Sequence, residues 1–266
     1  IALHGVINLI WLGQADLALV ADMDSHLLAQ RTVYQQLFQT APGLERPEDT
    51  LFWSQQMPVW PKTTYLLGAL ISAITGASHV GFIWANGMLF FSLCLVGTFL
   101  LGRTLHSARV GLASAALISF SPFLFGLSRF YGLDLPLTAM TTLGIWALAR
   151  RSGPSDLRGH IFAGLVCGLA VLIKGQALFF LAVPLAADMA RALLAGGSAT
   201  SPRSRRIVGA MIPALIAAAL SSLWWAERPG ELVTALLHHS TSAREALPSP
   251  VLQGSAGWHL FYFVTL

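Results

Sequence analysis

The stretch VGFIWANGMLFFSLCLVGTFLL, residues 80–101, contains no charged side chain. A helix that crosses a lipid bilayer needs about 20 predominantly apolar residues, and this stretch meets that length. We therefore predict a membrane-spanning helix here. Because several similar runs occur elsewhere in the chain, residues 80–101 set the expectation for the whole fold.

The composition agrees with a membrane protein. Hydrophobic residues make up 55% of the chain and charged residues 11%, whereas soluble domains have about 25% charged residues. We predict an all-α polytopic membrane protein. Lys and Arg total 16 against 12 Asp and Glu, and no basic run with interleaved aromatics occurs, which excludes a nucleic-acid-binding protein. Cys94 and Cys167 lie within apolar runs and are expected to be buried free thiols.

Further apolar runs predict the remaining spans. The run at 161–173 is short and is expected to extend into its flanks, whereas 64–75 has only 12 residues and suits an interfacial helix better than a span. Because apolar runs stand at both ends of the chain, we expect a fragment truncated at both ends. The predicted spans besides 80–101 are 1–13, 110–127, 133–149, 161–173, 177–194, 207–225 and one that starts near Trp258.

The basic loops predict the orientation of these spans. Residues 149–158 and 201–206 are the most basic short loops, and such loops remain cytoplasmic. Counting spans from them places residues 128–134 and Lys174 outside, together with the region before residue 80. Residues 14–79 then form one long external loop. Its segment 22–39 has apolar positions at largely helical spacing, which predicts a helix on the membrane surface.

Two acidic residues, Asp22 and Asp24, begin that surface helix. They are explained either as helix caps or as a general base or metal ligands at the membrane surface. With His26, they are candidates for a divalent metal site. Lys62 is explained either as a lysine whose amine reaches the membrane surface or as a point charge for a phosphate group.

The other predicted external segments also carry ionisable residues. Arg129 and Asp134 are explained either as an exposed turn with an ion pair or as part of a site at the rim of the bundle. Lys174 is either a membrane anchor or a ligand for a lipid phosphate. His238 and His239 are either surface residues or candidates for metal binding and proton transfer.

Four segments, taken together and in order, resemble a known family. They are DMDSHLLAQ (22–30), WPKTTYLLGALISAITG (60–76), LISFSPFLFGLSRFYGLDLPLTA (117–139) and LAVLIKGQALFFLAVP (169–184). The chain resembles the polyprenyl-phosphate-dependent glycosyltransferases of the GT-C superfamily, of the glycosyltransferase family 39 type, which includes protein O-mannosyltransferases and aminoarabinose transferases. The resemblance implies a GT-C-like helical bundle whose long first external loop, residues 14–79, carries juxtamembrane helices.

The resemblance also implies roles for individual residues. It places the base that activates the acceptor at Asp24, or at Asp22 if the alignment shifts, and a second acid at Asp134. It places the donor phosphate near Lys62, Arg129 and Lys174. The sequence departs from the family pattern where Ser25 replaces a Glu, and where Pro61-Lys62-Thr63 replaces a Lys-Pro-Pro element.

The implied activity is transfer of a sugar from a polyprenyl-phosphate donor, with inversion, to a glycan, lipid or protein acceptor at the outer face. Residues 1–266 would form a single transmembrane catalytic module in the bacterial inner membrane, with its active site facing the periplasm. The resemblance gives no definite cofactor, and a divalent metal is an option. The alternative is a multi-pass transporter or lipid flippase. Such proteins place ionisable residues near the bilayer midplane, whereas the predicted spans of this chain are almost free of charge and its ionisable residues gather in the predicted outer loops.

Overall fold

The computed structural model describes the chain as a set of helices joined by turns. The residues described are 1–14, 26–27, 29–30, 33–34, 37–38, 61, 63–75, 79–153, 155–194 and 202–225. The helices in these ranges are α1 (Ala2–Gln14), α2 (Thr63–Thr75), α3 (His79–Leu105), α4 (Ala108–Ser119), α5 (Pro122–Leu127), α6 (Asp134–Ala149), α7 (Leu157–Ile173), α8 (Ala177–Leu194) and α9 (Arg203–Trp225). The described positions between 26 and 38 are also helical, as predicted. The all-α prediction is therefore confirmed.

Among the described residues, three helices are long and apolar enough to cross a membrane. They are Gly81–Leu105, Ala177–Leu194 and Arg203–Trp225, and each includes most or all of a predicted span. The short run at 161–173 extends upstream, as expected, because Asp156 caps α7 by accepting a hydrogen bond from the Gly159 amide. The span predicted to start near Trp258 lies outside the described residues.

The span predicted at 110–127 is not one continuous helix. α4 ends at Ser119 and α5 begins at Pro122. The Ser121 hydroxyl accepts a hydrogen bond from the Leu124 amide and caps α5. Proline suits a first helical position and disrupts a helix interior. The Ser-Pro pair therefore explains why the apolar run is interrupted, and the interruption directs the chain into the loop at 128–134.

The bundle is held together where small residues let helices approach closely. α7 packs against α9 and α6, and α6 packs against α3. A Cβ atom placed on Gly164 would lie 2.7 Å from the Ile216 side chain, and one on Gly168 would lie 2.8 Å from Leu220. Such close contacts compensate for the weak hydrophobic driving force between helices in lipid. α7 is consequently the best-packed helix at the centre of the bundle.

α2 presents two different faces. Tyr65 and Ala69 are buried and pack with Ala29 and Val33 of the first-loop segment. On another face, three apolar side chains spaced four residues apart are exposed: Leu66, Leu70 and Ile74. With 13 residues, α2 is shorter than the roughly 17 residues that a spanning helix requires. That residues 64–75 form an interfacial helix and not a span stays a prediction.

Candidate active site

The loop of residues 128–134 is the centre of the candidate site, and its first residue fixes its position. The Ser128 hydroxyl accepts a hydrogen bond of 2.6 Å from the Asn8 amide nitrogen and donates one to the Phe125 carbonyl. The Ser128 carbonyl lies directly against Gly87 of α3, so closely that a Cβ atom would collide with it. The glycine therefore permits α3 and the loop to meet backbone to backbone.

Arg129 is held in a defined orientation beside α1. Its Nε donates a 2.8 Å hydrogen bond to the Asn8 Oδ1. The guanidinium also lies over two aromatic rings, 4.1 Å from the centroid of Phe125 and 5.0 Å from that of Trp11. Partial burial lowers the pKa of Arg129 from its ordinary value. Because a guanidinium has five N–H donors, the bond to Asn8 leaves four others for a ligand or for solvent.

Tyr131 connects the loop to α2 and α3. Its ring packs edge-on against Phe82 with the centroids 4.6 Å apart, and its hydroxyl lies beside Gly68. Burial, reinforced by the neighbouring Tyr65, raises the pKa of Tyr131 well above its ordinary value. Among the described residues its hydroxyl has no hydrogen-bond partner. This tyrosine therefore stays neutral and acts as part of the packed base of the site.

Asp134 and Lys174 form an ion pair at the same end of the bundle. Asp134 opens α6, and Lys174 follows the last residue of α7 in an extended conformation. The Lys174 Nζ donates a 2.6 Å hydrogen bond to the Asp134 Oδ1. The lysine is buried whereas the aspartate side chain is exposed. The pair thus offers a fixed carboxylate to the solvent and keeps the cation behind it.

Part of the first loop packs next to these residues. The His26 Nδ1 and the Tyr65 hydroxyl share a hydrogen bond of 2.7 Å, and their rings are stacked. The Gln30 amide donates a 2.8 Å hydrogen bond to the Ser72 hydroxyl. Gln30 and the Tyr131 hydroxyl both lie against Gly68. The first-loop segment, α2 and the loop at 128–134 therefore pack together through a buried cluster of polar and aromatic side chains.

The sequence predictions for site residues have different outcomes. Arg129, Asp134 and Lys174 lie at one end of the bundle, and two of them are in direct contact. His26 is engaged by Tyr65, and within the described ranges no three His, Cys, Asp or Glu side chains are grouped to hold a metal ion. Cys94 and Cys167 are buried free thiols, as expected. Five predicted residues lie outside the described ranges: Asp22, Asp24, Lys62, His238 and His239.

Asn8 and Tyr65 are residues of the candidate site that the sequence reasoning did not identify. Asn8 is fully buried and contacts both Ser128 and Arg129. The available signal was a single amide in the apolar run IALHGVINLIWLG, because a buried amide in lipid requires a partner. Nothing in the sequence pattern identifies that partner, which is about 120 positions away in the chain.

The opposite end of the bundle contains the basic loops. Arg151 forms a 2.7 Å ion pair with Asp188 of α8, and Arg206 lies close to the same residues. Lys174 and Arg151 thus lie beyond opposite ends of α7. This separation agrees with the orientation predicted from the basic loops, which places residues 149–158 and 201–206 on one side of the membrane and residues 128–134 with Lys174 on the other.

Comparison with known families decides the identity of the fold. The sequence model of the family described as dolichyl-phosphate-mannose-protein mannosyltransferase matches residues 60–225. The chain belongs to this family. The matched segment contains α2 to α9, the loop at 128–134 and the Asp134–Lys174 pair, whereas Asn8 precedes it. No curated protein and no solved structure matches the chain.

Family membership confirms the resemblance, and the matched residues 60–225 contain three of the four segments, whereas the segment 22–30 with Asp22 and Asp24 precedes the match. The chain is a multi-pass membrane protein of the GT-C type, and its family consists of glycosyltransferases that use a sugar linked to a lipid phosphate. The chain is therefore a membrane glycosyltransferase whose donor is a polyprenyl-phosphate sugar. Family membership therefore favours a glycosyltransferase over the alternative of a transporter or lipid flippase.

Proposed function

We propose that this glycosyltransferase acts at the extracytoplasmic end of the bundle, which is the periplasmic face if the host is a bacterium, and that it inverts the configuration of the transferred sugar. One observation carries this proposal. The loop at 128–134 gathers an oriented guanidinium and a fixed, exposed carboxylate next to the first-loop segment. Cationic groups stabilise the charge that develops on a leaving phosphate, and an exposed carboxylate can contact the acceptor.

The proposed reaction is a single displacement at the anomeric carbon. A carboxylate, Asp24 or alternatively Asp22, accepts the proton of the acceptor's hydroxyl or amine. The deprotonated acceptor attacks the anomeric carbon from the side opposite the phosphate and forms the new glycosidic bond. The bond between the anomeric carbon and the phosphate oxygen breaks, and polyprenyl phosphate leaves with the electron pair. Attack from the opposite side inverts the anomeric centre.

The cations stabilise the charge that develops on the leaving phosphate. Arg129 is suited to this role because Asn8 and two aromatic rings fix its orientation, and a preoriented cation loses little free energy to reorganisation. Lys174 contributes a buried positive charge behind Asp134. We assign Lys62 to the same phosphate. Asp134 is assigned to the acceptor side, because its carboxylate is exposed.

The position of His26 supports the choice of base. Asp24 is only two residues before His26 in the sequence, and His26 is buried against Tyr65 at this end of the bundle. We propose that residues 14–79 form the first external loop and that the exposed stripe of Leu66, Leu70 and Ile74 rests in the membrane interface. Apolar stripes of this kind bury themselves among lipid headgroups and acyl chains.

The decisive experiment is sugar transfer by the Asp24→Asn variant in proteoliposomes that contain a polyprenyl-phosphate sugar. We expect transfer to fall by about 100- to 10,000-fold, the range for loss of a general base. Asp22→Asn tests the alternative, and Asp16→Asn, in the same predicted loop, is the matched control that retains activity. Full transfer by both Asp24→Asn and Asp22→Asn would refute the assignment of the base.

The proposed face is tested by cysteine labelling in intact cells. A membrane-impermeant maleimide is expected to label Ser25→Cys and not Ser155→Cys, which lies in the basic loop at the other end. The native thiols Cys94 and Cys167 are buried and give little background. Labelling of Ser155→Cys alone would reverse the orientation.

A further inference from the structure

A pocket opens at the end of the bundle opposite the candidate active site. Its walls come from the ends of α6, α7, α8 and α9, and it is wide enough to admit a small polar group. The ionisable side chains that line it are Arg151, His160, Asp188, Arg191 and Arg206. No step of the proposed transfer uses any of them.

Arg151 forms a rigid floor for this pocket. Its Nε donates to the Leu148 carbonyl at 2.9 Å, one terminal nitrogen donates to the His160 Nδ1 at 3.0 Å, and the other pairs with Asp188 at 2.7 Å. All three nitrogens of the guanidinium are thus engaged. A side chain held at three points does not reorient when a ligand enters.

His160 completes the floor as a neutral ring. Its Nε2 donates to the Gly153 carbonyl at 3.2 Å while its Nδ1 accepts from Arg151. Because one ring nitrogen donates and the other accepts, these partners assign the neutral tautomer with the proton on Nε2.

The pocket nevertheless has an excess of positive charge. Among its described lining residues Asp188 is the single acid, and Arg151 already balances it. Arg191 and Arg206 add two further positive charges from α8 and α9. A cavity with this charge, at the end of apolar helices, attracts an anion.

The surroundings of the pocket indicate where the anion comes from. The helices α8 and α9, which contribute to the pocket walls, carry exposed apolar side chains, including Leu194 and Val208. Acyl chains cover such surfaces in a membrane, while basic residues between helices bind lipid headgroups. We infer that this pocket binds the phosphate group of an anionic phospholipid, with Arg191 and Arg206 as its cationic ligands. Inorganic phosphate shares this chemistry and is distinguished in the test.

The test is native mass spectrometry of the detergent-solubilised full chain with added phosphatidylglycerol or phosphatidylcholine. We expect wild-type protein to retain phosphatidylglycerol preferentially. The double variant Arg191→Gln/Arg206→Gln should retain about tenfold less, because each basic residue near the membrane surface adds several-fold to binding. The matched control is Arg203→Gln/Arg205→Gln, which removes the same charge from exposed positions outside the pocket and should change retention less than twofold.

The single variant Arg191→Gln keeps the test valid if the double variant is unstable, because Arg191 is exposed on α8. This variant should retain about threefold less phosphatidylglycerol than the wild type. Equal losses in the pocket and control variants, or no preference for phosphatidylglycerol, would overturn the inference. Retained lipid that 50 mM inorganic phosphate does not displace assigns the site to a lipid headgroup. Displacement by phosphate supports the same anion site with free phosphate as its occupant.

Discussion

In the described part of the chain, an ion pair stands at each end of the bundle, and the two pairs are built in opposite ways. In Asp134–Lys174 the carboxylate is 58% exposed and the lysine 11%. In Arg151–Asp188 the guanidinium is 7% exposed and the carboxylate 24%. The first pair exposes its carboxylate to solvent, whereas the second encloses its cation within a network of hydrogen bonds. Under the proposed function, the first pair belongs to the reacting site and the second holds the other end of the bundle together.

Among the variants that separate the two ends, the largest effect is expected from breaking each pair in turn. Lys174→Gln should lower sugar transfer on the order of 100-fold, since it removes a charge that stabilises the leaving phosphate. Arg151→Gln should leave transfer by the folded fraction within about threefold, but it should cost about 3 kcal/mol of stability because Asp188 loses its partner. Transfer rates and thermal unfolding of the two purified variants measure this difference. Equal loss of transfer in both would remove the distinction between the two ends.

The next effect concerns the contact between Gly87 and the loop at 128–134. Gly87→Ala introduces a methyl group where the Ser128 carbonyl stands, and such overpacking costs about 1–3 kcal/mol. We expect a lower unfolding temperature together with weaker transfer, because the loop that holds Arg129 must move.

The matched control for that variant is Gly13→Ala, since a Cβ atom there meets nothing within 4 Å. Alanine also favours a helix by roughly 0.5–1 kcal/mol over glycine. An unchanged or slightly raised unfolding temperature is expected. If Gly87→Ala behaves like Gly13→Ala in both assays, the loop is not held by this contact.

A smaller effect should follow from releasing Arg129. Asn8→Leu removes the acceptor for its Nε, and a hydrogen bond to a charged group contributes about 1.5–3 kcal/mol. Part of that loss should appear as a roughly tenfold higher KM for the donor, with a smaller change in kcat. Asn8→Asp keeps an acceptor oxygen and should restore most of the affinity. A purely structural role for Asn8 predicts no such rescue and no selective change in KM.

The smallest effect is a pH dependence at the basic end. The amides of Gly159 and Ser152 lower the pKa of the Asp156 carboxyl, so its contribution to stability is present above the unfolded-state pKa of about 4 and is lost as the pH falls through the lower folded-state value. Asp156→Asn keeps a capping oxygen but does not titrate. The unfolding temperature of the wild type should therefore fall slightly more on acidification than that of Asp156→Asn. Parallel curves would contradict this role.

Much of the fold was predictable because hydropathy and helix length are local properties. The runs at 80–101, 177–194 and 207–225 lie within helices long enough to span. The Ser121-Pro122 pair that separates α4 from α5 was visible in the sequence, but the long apolar run around it favoured the prediction of one continuous span. Side-chain contacts are a different matter. They depend on helix rotation and close approach, which no local pattern specifies.

The candidate site shows the same division. Counting spans from the basic loops predicted that residues 128–134 and Lys174 lie on the same side of the membrane. The family resemblance singled out Arg129, Asp134 and Lys174. Neither predicted that Asp134 and Lys174 would be directly paired or that Asn8 would orient Arg129. Both contacts depend on tertiary packing between separate helices. Sequence reasoning therefore identified Arg129, Asp134 and Lys174 as candidate site residues and missed the contacts that hold them in place.

The location of the sugar tests the central claim most directly. A polyprenyl-phosphate sugar with a photoreactive group on the sugar is irradiated in membranes that contain the full chain, and mass spectrometry identifies the cross-linked peptides. We predict adducts within residues 128–134 or beside Lys174. Adducts confined to residues 149–158 and 203–206 would place the donor at the opposite end and contradict the account.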